Sequence, residues 1–141
     1  MPTPCVVLVV DDNPSDSQIM REAFDFVGFV GFDGVVVAVE NAPQAYAYLS
    51  RRPPFAGVPM PHVVMLDLSM PIMSGFDVLR EMKSRPAWAS IPVMIFTSSC
   101  QAADVAKADR MGARRFITKP LDWNGFLQVA RDVQVACCEA A

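Results

Sequence analysis

Residues 63–79, VVMLDLSMPIMSGFDVL, are the stretch that decides the fold. The stretch opens with four apolar residues, 63–66, which is typical of a strand buried on both faces of a parallel sheet. The strand ends at Asp67, and Pro71 and Gly75 mark a loop before a helical pattern of apolar residues begins. Open α/β sheets bind ligands at the carboxyl ends of central strands, so Asp67 is a candidate functional residue. The alternative is an Asp that only caps a helix or forms a turn.

Four more short apolar runs, each followed by a helical pattern, extend the prediction to the whole chain. Their strand segments are residues 6–10, 35–39, 93–96 and 116–118. Five strand–helix alternations predict an α/β fold with a doubly wound, five-stranded parallel sheet and helices on both faces, because crossovers between parallel strands are right-handed. Helices are expected from about residue 15 to 27, around 45–49, after Gly75 and over 102–111. A last helix is expected after Asp122, which would be its N-terminal cap.

Polar side chains close four of these five strands. They are Asp11 and Asp12 after the first strand, Asp67 after the third, Thr97 after the fourth and Lys119 after the fifth. Carboxylates about 4 Å apart repel by roughly 4 kcal/mol at an effective dielectric constant of about 20, so a divalent cation, a lysine or proton uptake must offset the repulsion. Hard carboxylate oxygens favour Mg²⁺, and a lysine and a hydroxyl suit phosphoryl oxygens. The set predicts an aspartate that accepts a phosphoryl group.

Composition bounds the class of protein. The chain has 141 residues, 52% of them hydrophobic and 19% charged, which is typical of one globular domain with its own core. A net charge of −3 argues against a nucleic-acid-binding surface. The N-terminus has no pattern of a targeting signal, and the apolar runs are too short to span a bilayer. We therefore expect a cytoplasmic protein with neither a nucleic acid nor a membrane as its partner.

The four cysteines show neither a disulfide framework nor zinc-site spacing. Cys5 and Cys100 are expected to be small buried hydrophobes, and Cys137 and Cys138 to lie in a tail. His62 is expected to be exposed, because it ends a long proline-rich loop that starts near residue 51.

Four separated motifs resemble those of two-component response regulator receiver domains. They are LVVDDNPSDS at 8–17, MLDLSMPIMSG at 65–75, VMIFTSS at 93–99 and FITKP at 116–120. The resemblance extends over the whole chain and implies one receiver domain over residues 1–141, without an output domain. It also implies the flavodoxin-like strand order 2-1-3-4-5.

The resemblance also implies a role for each acid. Asp67 would be the phosphoacceptor. Asp12 would bind Mg²⁺ directly, Asp11 would hold it directly or through water, and Asp67 would give a further ligand. Ser69 would contribute its backbone carbonyl to the same Mg²⁺ ion.

Three further residues would form the switch. Thr97 would turn towards the aspartyl phosphate, Lys119 would pair with the phosphoryl group, and Phe116 would fill the space that Thr97 leaves. Receiver domains typically have a cis peptide bond at the position of Lys119–Pro120. Ser69 and Ser99 would tune the lifetime of the phosphoryl group.

A narrower resemblance concerns the partner. The chain resembles the stand-alone receivers of bacterial phytochrome-type histidine kinases in three features. They are the motif DDNPSD at 11–16, the proline-rich insertion and the lack of an output domain. The implied partner is a sensor histidine kinase. A docking or homodimer face is expected on the helix over 102–111, the fifth strand and the last helix.

Three other functions remain as alternatives. A phosphatase with Asp67 as its nucleophile would need a second acid where the chain has Ser69. We expect instead a phosphoacceptor that promotes only its own phosphorylation and dephosphorylation, which is not an enzyme acting on external substrates. A flavin carrier would need an anion-binding loop where Asp11 and Asp12 stand. A receiver-fold scaffold independent of phosphate would fit a defective set of acids, and this set is complete.

Overall fold

The computed structural model describes the backbone of residues 5–28 and 34–140, and the side chains of these residues up to Cys137. Five strands alternate with five helices in this part of the chain, as predicted. Their bounds are β1 Cys5–Val10, α1 Pro14–Val27, β2 Gly34–Val39, α2 Ala42–Leu49, β3 Val63–Leu66, α3 Gly75–Ser84, β4 Val93–Thr97, α4 Ala102–Arg110, β5 Arg115–Thr118 and α5 Trp123–Ala140.

The five strands form one parallel sheet in the order β2-β1-β3-β4-β5, which confirms the predicted topology. The apolar residues of β1, β3 and β4 are buried on both faces, which explains why their sequences do not alternate with polar residues. The edge strand β5 is half-exposed and much less apolar. Strand order reverses between β1 and β3, and open α/β sheets bind ligands at the carboxyl ends of the strands at such a point.

Two core layers cover the sheet. One packs α2, α3 and Ala108 of α4 against one face, and the other packs α1 and α5 against the opposite face. Alternate residues of β1 face the two layers, with Leu8 and Val10 in the first and Val7 and Val9 in the second. Ala108 is the one buried residue of α4, so this helix is attached by little apolar surface, as its run of alanines predicts.

The C-terminal cysteines lie in a helix and not in a tail. Cys137 is buried in α5 and forms a disulfide with Cys5 of β1, with a Cα–Cα distance of 6.1 Å. Cys138 belongs to α5 as well. Cys5 is buried as predicted, but its pairing was not predicted, because the packing of α5 against β1 joins residues 132 positions apart in sequence. Cys100 is exposed, since it lies in the loop after β4 and outside both core layers.

His62 is half-buried and hydrogen-bonded, so the prediction that it is exposed is wrong. Its Nδ1 accepts a hydrogen bond from the Val6 N–H at 3.1 Å, and its own backbone N–H donates to the Val6 carbonyl at 2.8 Å. The histidine thus prolongs the pairing of β3 with β1 by one residue, and the proline-rich loop ends before it. Residues 29–33 of the predicted break between α1 and β2 lie outside the described residues. No helix within 5–28 or 34–140 is long and apolar enough to cross a bilayer.

Candidate functional site

The sheet itself places three of the predicted site residues. Each follows the end of a strand, and its backbone N–H donates to a carbonyl of the neighbouring strand. Asp11 donates to Val39 of β2 at 3.0 Å and Asp67 donates to Val10 of β1 at 3.0 Å. Lys119 donates to the carbonyl of Thr97 in β4 at 2.7 Å. The backbone of the site is therefore held by the sheet pairing and not by loops.

The predicted acids do lie together. One carboxylate oxygen from each of Asp11, Asp12 and Asp67 falls within 4.8 Å of the others. Among the described residues, these three acids form a group that could hold a metal ion. Asp11 and Asp67 are buried, whereas Asp12 is exposed at the mouth of the site. The pocket therefore has two buried acids and one that faces solvent.

Lys119, which follows the edge strand β5, supplies a positive charge to this cluster. Its Nζ lies 2.8 Å from Oδ2 of Asp11 and 3.3 Å from Oδ2 of Asp67. A third carboxylate, Oδ2 of Asp16, also lies 2.8 Å from this Nζ. The ammonium group thus contacts three acids at once, which matches its three N–H donors.

Asp16 is the site residue that the sequence analysis missed. It lies in the first turn of α1, where Asn13 caps the helix by accepting hydrogen bonds from the backbone N–H groups of Ser15 and Asp16. An acid in a first turn is ordinarily explained by the helix dipole. The sequence did contain one indication that Asp16 belongs to the site. The helix α1 begins only three residues after Asp11, so its first turn must face the same edge of the sheet.

Burial controls the electrostatics of the pair formed by Asp11 and Lys119. Burial raises the pKa of Asp11 to about 6 and the nearby Asp67 charge adds to this, although Lys119 and the N–H of Asn13 lower it. Burial lowers the pKa of Lys119, but hydrogen bonds to Asp11 and Asp16 outweigh this effect and raise the pKa above its ordinary value. The lysine is therefore held in its charged form, and Asp11 binds a proton more readily than an exposed Asp.

The donor set fits a hard divalent cation. All three clustered groups are carboxylates, and no soft sulfur or imidazole ligand is among them. Mg²⁺ is held in proteins by one or two carboxylates together with waters and phosphate oxygens, and exposed Asp12 leaves the mouth of this pocket open to both. Ser69 lies beside the cluster, since its backbone N–H donates to Oδ1 of Asp67 at 3.3 Å. The role of its carbonyl as a ligand stays a prediction.

Two of the predicted switch residues, Thr97 and Phe116, lie near α4. Thr97 is buried, and its Oγ1 accepts a hydrogen bond from the backbone N–H of Ser99 at 3.5 Å. Ser99 donates through its own hydroxyl to Asp104 in the first turn of α4 at 2.6 Å. Phe116 is half-buried and lines a cavity of about 750 Å³ between α4 and β5. A movement of Thr97 would thus affect the loop that leads into α4.

The expected cis bond before Pro120 is not present. The cis peptide bond of the described residues is Pro53–Pro54, in the proline-rich loop. Lys119 still reaches the acids because its backbone N–H is fixed by the Thr97 carbonyl, as β5 continues its pairing with β4.

Gly75 has a second function beyond marking the loop. It begins α3, and its backbone N–H donates to the Leu68 carbonyl at 3.0 Å. A Cβ atom at this position would overlap the carbonyl oxygen of Asp67 and lie 2.8 Å from the Cα of Leu68. Glycine therefore allows the start of α3 to pack directly on the backbone of the central acid.

Comparisons with known proteins identify the family of this chain. The family model of the response regulator receiver domain matches residues 7–131. Response regulator Rcp1 of Synechocystis sp. (strain PCC 6803) is 25% identical over 93% of this chain and 87% of its own length. The crystal structure of its Mn²⁺-bound form has a TM-score of 0.81 to this chain, covering 93% of this chain and 92% of Rcp1.

Solved structures of phytochrome response regulators are among those similar to this chain. The phosphorylated cyanobacterial phytochrome response regulator RcpA has a TM-score of 0.85 and 27% identity, covering 99% of this chain and 97% of RcpA. The bacteriophytochrome response regulator AtBRR has a TM-score of 0.74 and 29% identity, with 95% of each chain covered. The motifs, the strand order, the acidic pocket and the family match together show that this chain belongs to the response regulator receiver domain family, with phytochrome response regulators among its relatives.

Proposed function

We propose that this chain is a phosphorylation-controlled binding module in which Asp67 accepts a phosphoryl group from a histidine kinase. The observation that carries the proposal is the contact of Lys119 Nζ with Oδ2 of Asp67, at 3.3 Å, inside a cluster of acids that can hold Mg²⁺. A carboxylate oxygen of Asp67 would form the new O–P bond, and the bond between phosphorus and the donor would break.

The chain's own residues would orient and stabilise this transfer. Asp11, Asp12 and Asp67 would hold Mg²⁺, which supplies charge neutralisation for phosphoryl oxygens when it is bound. Lys119 would donate to a phosphoryl oxygen, because it already lies beside Asp67 as a charged ammonium. The Thr97 hydroxyl would give up its contact with the Ser99 N–H and donate to another phosphoryl oxygen. Each of these groups acts on charge that develops during transfer.

A sensor histidine kinase is the proposed donor. Large apolar side chains stand exposed on the loops around the pocket, including Ile72 after β3 and Leu121 after β5. Trp123 continues this rim at the start of α5. An apolar rim around an acidic pocket fits an amphipathic kinase helix that presents a phosphohistidine at its centre. The relatives named for phytochrome signalling support a phytochrome-type kinase as this donor.

The output is proposed to be a change in the face made by α4, β5 and α5. Phe116 lines the cavity between α4 and β5, and α4 itself is attached mainly through Ala108. A weakly attached helix beside a ring that can rotate needs little free energy to change its position. A second copy of this chain is the proposed occupant of this face, since isologous dimers are the commonest assembly.

An aspartate-nucleophile phosphatase fits the structure less well. Such an enzyme needs an acid near the leaving group, and the chain has Ser69 two residues after Asp67. The acids beside Asp67 are Asp11 and Asp12. Both are proposed as Mg²⁺ ligands, and a carboxylate that binds the metal ion is not free to donate a proton to a leaving group.

Intact mass after incubation with acetyl phosphate, with and without Mg²⁺, tests the proposed function. We expect one phosphoryl adduct on the wild type that requires Mg²⁺ and is lost in Asp67→Asn. The control is Asp109→Asn, which removes an exposed acid of α4 and should keep the adduct. Absence of an adduct on folded wild type with Mg²⁺ present would favour a phosphate-independent scaffold. An adduct that survives in Asp67→Asn would show that another residue is the acceptor.

A further inference from the structure

Asp16 is an acid that the proposed phosphoryl transfer leaves without a role. Its Oδ2 lies 2.8 Å from Nζ of Lys119, as close as that of Asp11. It is not, however, part of the cluster formed by the other three acids, so it contacts the lysine without sharing their metal-type geometry. Its side chain is 22% exposed, whereas that of Asp11 is 2% exposed. Asp16 therefore lies nearer the rim of the pocket than Asp11 does.

The contacts of Lys119 conflict with the binding of a cation. Two of its three carboxylate partners, Asp11 and Asp67, belong to the acid cluster that fits Mg²⁺. A dication and an ammonium group that share the same two carboxylates repel each other, and each weakens the binding of the other to these carboxylates. Once Asp11 and Asp67 serve a metal ion, Asp16 is the carboxylate that still contacts the lysine.

The position of Asp16 is fixed by the helix and not by the lysine. Its backbone N–H is held by the Asn13 side chain at 3.3 Å, in the capped first turn of α1. α1 in turn packs through Met20 and Phe24 on the core layer that it shares with α5. The carboxylate is thus supported by a rigid element, and it can serve as an anchor whether or not the other acids change partners.

We propose, on the basis of the proposed function, that Asp16 is a positioning residue that anchors Lys119 and lets the lysine and Mg²⁺ occupy the pocket together. Without Asp16, the ammonium group has only Asp11 and Asp67 as partners, and it competes with the metal for both. With Asp16, the lysine keeps a partner at the rim and stays within reach of a group bound to Asp67. Loss of the Asp16 charge therefore weakens Mg²⁺ binding by acting through Lys119.

Calorimetric titration of the unphosphorylated protein with Mg²⁺ tests this proposal by a double-mutant cycle. The four proteins are the wild type, Asp16→Asn, Lys119→Met and the double variant. Asp16→Asn should weaken Mg²⁺ binding roughly tenfold in the wild type, where the lysine is present, which lies within the range of coupling between contacting groups. In the Lys119→Met background the same substitution should weaken Mg²⁺ binding only about twofold, because its sole effect is then the loss of a screened charge at the rim.

Two further variants separate the anchor from a general charge effect. Asp25→Asn removes an exposed acid from the same helix, more than two turns away, and should change the Mg²⁺ affinity by less than about twofold. Asp16→Glu keeps the charge on a longer side chain and should bind Mg²⁺ within about threefold of the wild type. The circular dichroism spectrum of each variant establishes that it is folded.

Equal losses from Asp16→Asn in both backgrounds would overturn the anchor, because Asp16 would then act only as a distant charge. No loss in either background, or a loss in Asp16→Glu as large as in Asp16→Asn, would overturn it as well. A wild type that binds Mg²⁺ but gives an additive cycle refutes this inference and leaves the proposed function intact. A folded wild type that binds no Mg²⁺ refutes the proposed metal site together with the anchor.

Discussion

Replacing Lys119 by Met tests whether the lysine is the cation that holds the acidic pocket together in the absence of metal. The ammonium group contacts three carboxylates, and two of them, Asp11 and Asp67, are buried. Methionine has nearly the same length and fills the same space without a charge. The substitution therefore removes the ion pairs and leaves the packing of the site largely unchanged.

The expected loss follows from the burial of the acids. Removing one partner of a buried ion pair destabilises a protein by about 3–5 kcal/mol, because the other charge stays buried without compensation. Asp11 is 2% exposed and Asp67 is 5% exposed, so this range applies. Protonation of Asp11 limits the loss, since a neutral carboxyl group needs no cation. We expect the free energy of unfolding to fall by about 3 kcal/mol at pH 8.

The pH dependence has a definite sign. The pKa of Asp11 is already raised to about 6, with burial as the largest cause, and Lys119 lowers it, so loss of the lysine raises it further. An acid whose pKa is higher in the folded than in the unfolded state loses stability as the pH rises through the folded pKa. At pH 5 Asp11 is largely protonated in the variant, and the loss should shrink to about 1 kcal/mol.

Urea unfolding of the metal-free proteins at pH 5 and pH 8 measures these differences. Lys107→Met is the matched control, because Lys107 lies over the ring of Phe76 at 4.3 Å and contacts no acid of the pocket. Its loss should be about 0.5–1 kcal/mol and independent of pH over this range. Equal losses in the two variants at pH 8, or a loss in Lys119→Met that does not shrink at pH 5, would refute the electrostatic account.

Three other predictions concern the metal, the central loop and the last helix. Mg²⁺ affinity should fall roughly tenfold between pH 8 and pH 5 in calorimetric titrations, because Asp11 with a pKa of about 6 must lose its proton to bind the ion; a constant affinity would exclude Asp11 as a ligand. Gly75→Ala should lower the free energy of unfolding by about 1–3 kcal/mol in urea, since a Cβ atom overlaps the Asp67 carbonyl oxygen, and an unchanged midpoint would contradict this. Asp122→Ala should cost about 1 kcal/mol in the same assay, because the Asp122 carboxylate accepts the Gly125 N–H at 2.8 Å, whereas Asp122→Asn should cost less.

The local sequence pattern was sufficient to predict the strands and helices of the fold. The central strand was predicted at residues 63–66 and lies at Val63–Leu66, because a short unbroken apolar run is typical of a strand buried on both faces of a sheet. Asn13 and Asp122 cap their helices as their residue types predict. Such features depend on neighbours a few residues away, which the sequence itself contains.

Features formed by distant residues were not predictable in this way. Asp16 resembles an ordinary first-turn acid until α1 is packed on the sheet and Lys119 arrives from 103 positions further along the chain. His62 looked like a loop residue because its partner, Val6, is 56 positions away. In each case the error came from judging a side chain by its local surroundings alone.

The sequence by itself determined the alternation of strands and helices, the parallel sheet and the presence of acids, a hydroxyl and a lysine at strand ends. The reason is that these properties follow from hydrophobic period and from the common edge at which parallel strands end. Only the tertiary structure decided which charges meet: Lys119 pairs with Asp11, Asp16 and Asp67 at once, and Cys5 pairs with Cys137. Contacts of this kind depend on how helices pack on the sheet to bury their apolar faces, and that packing brings together residues whose sequence separation carries no sign of it.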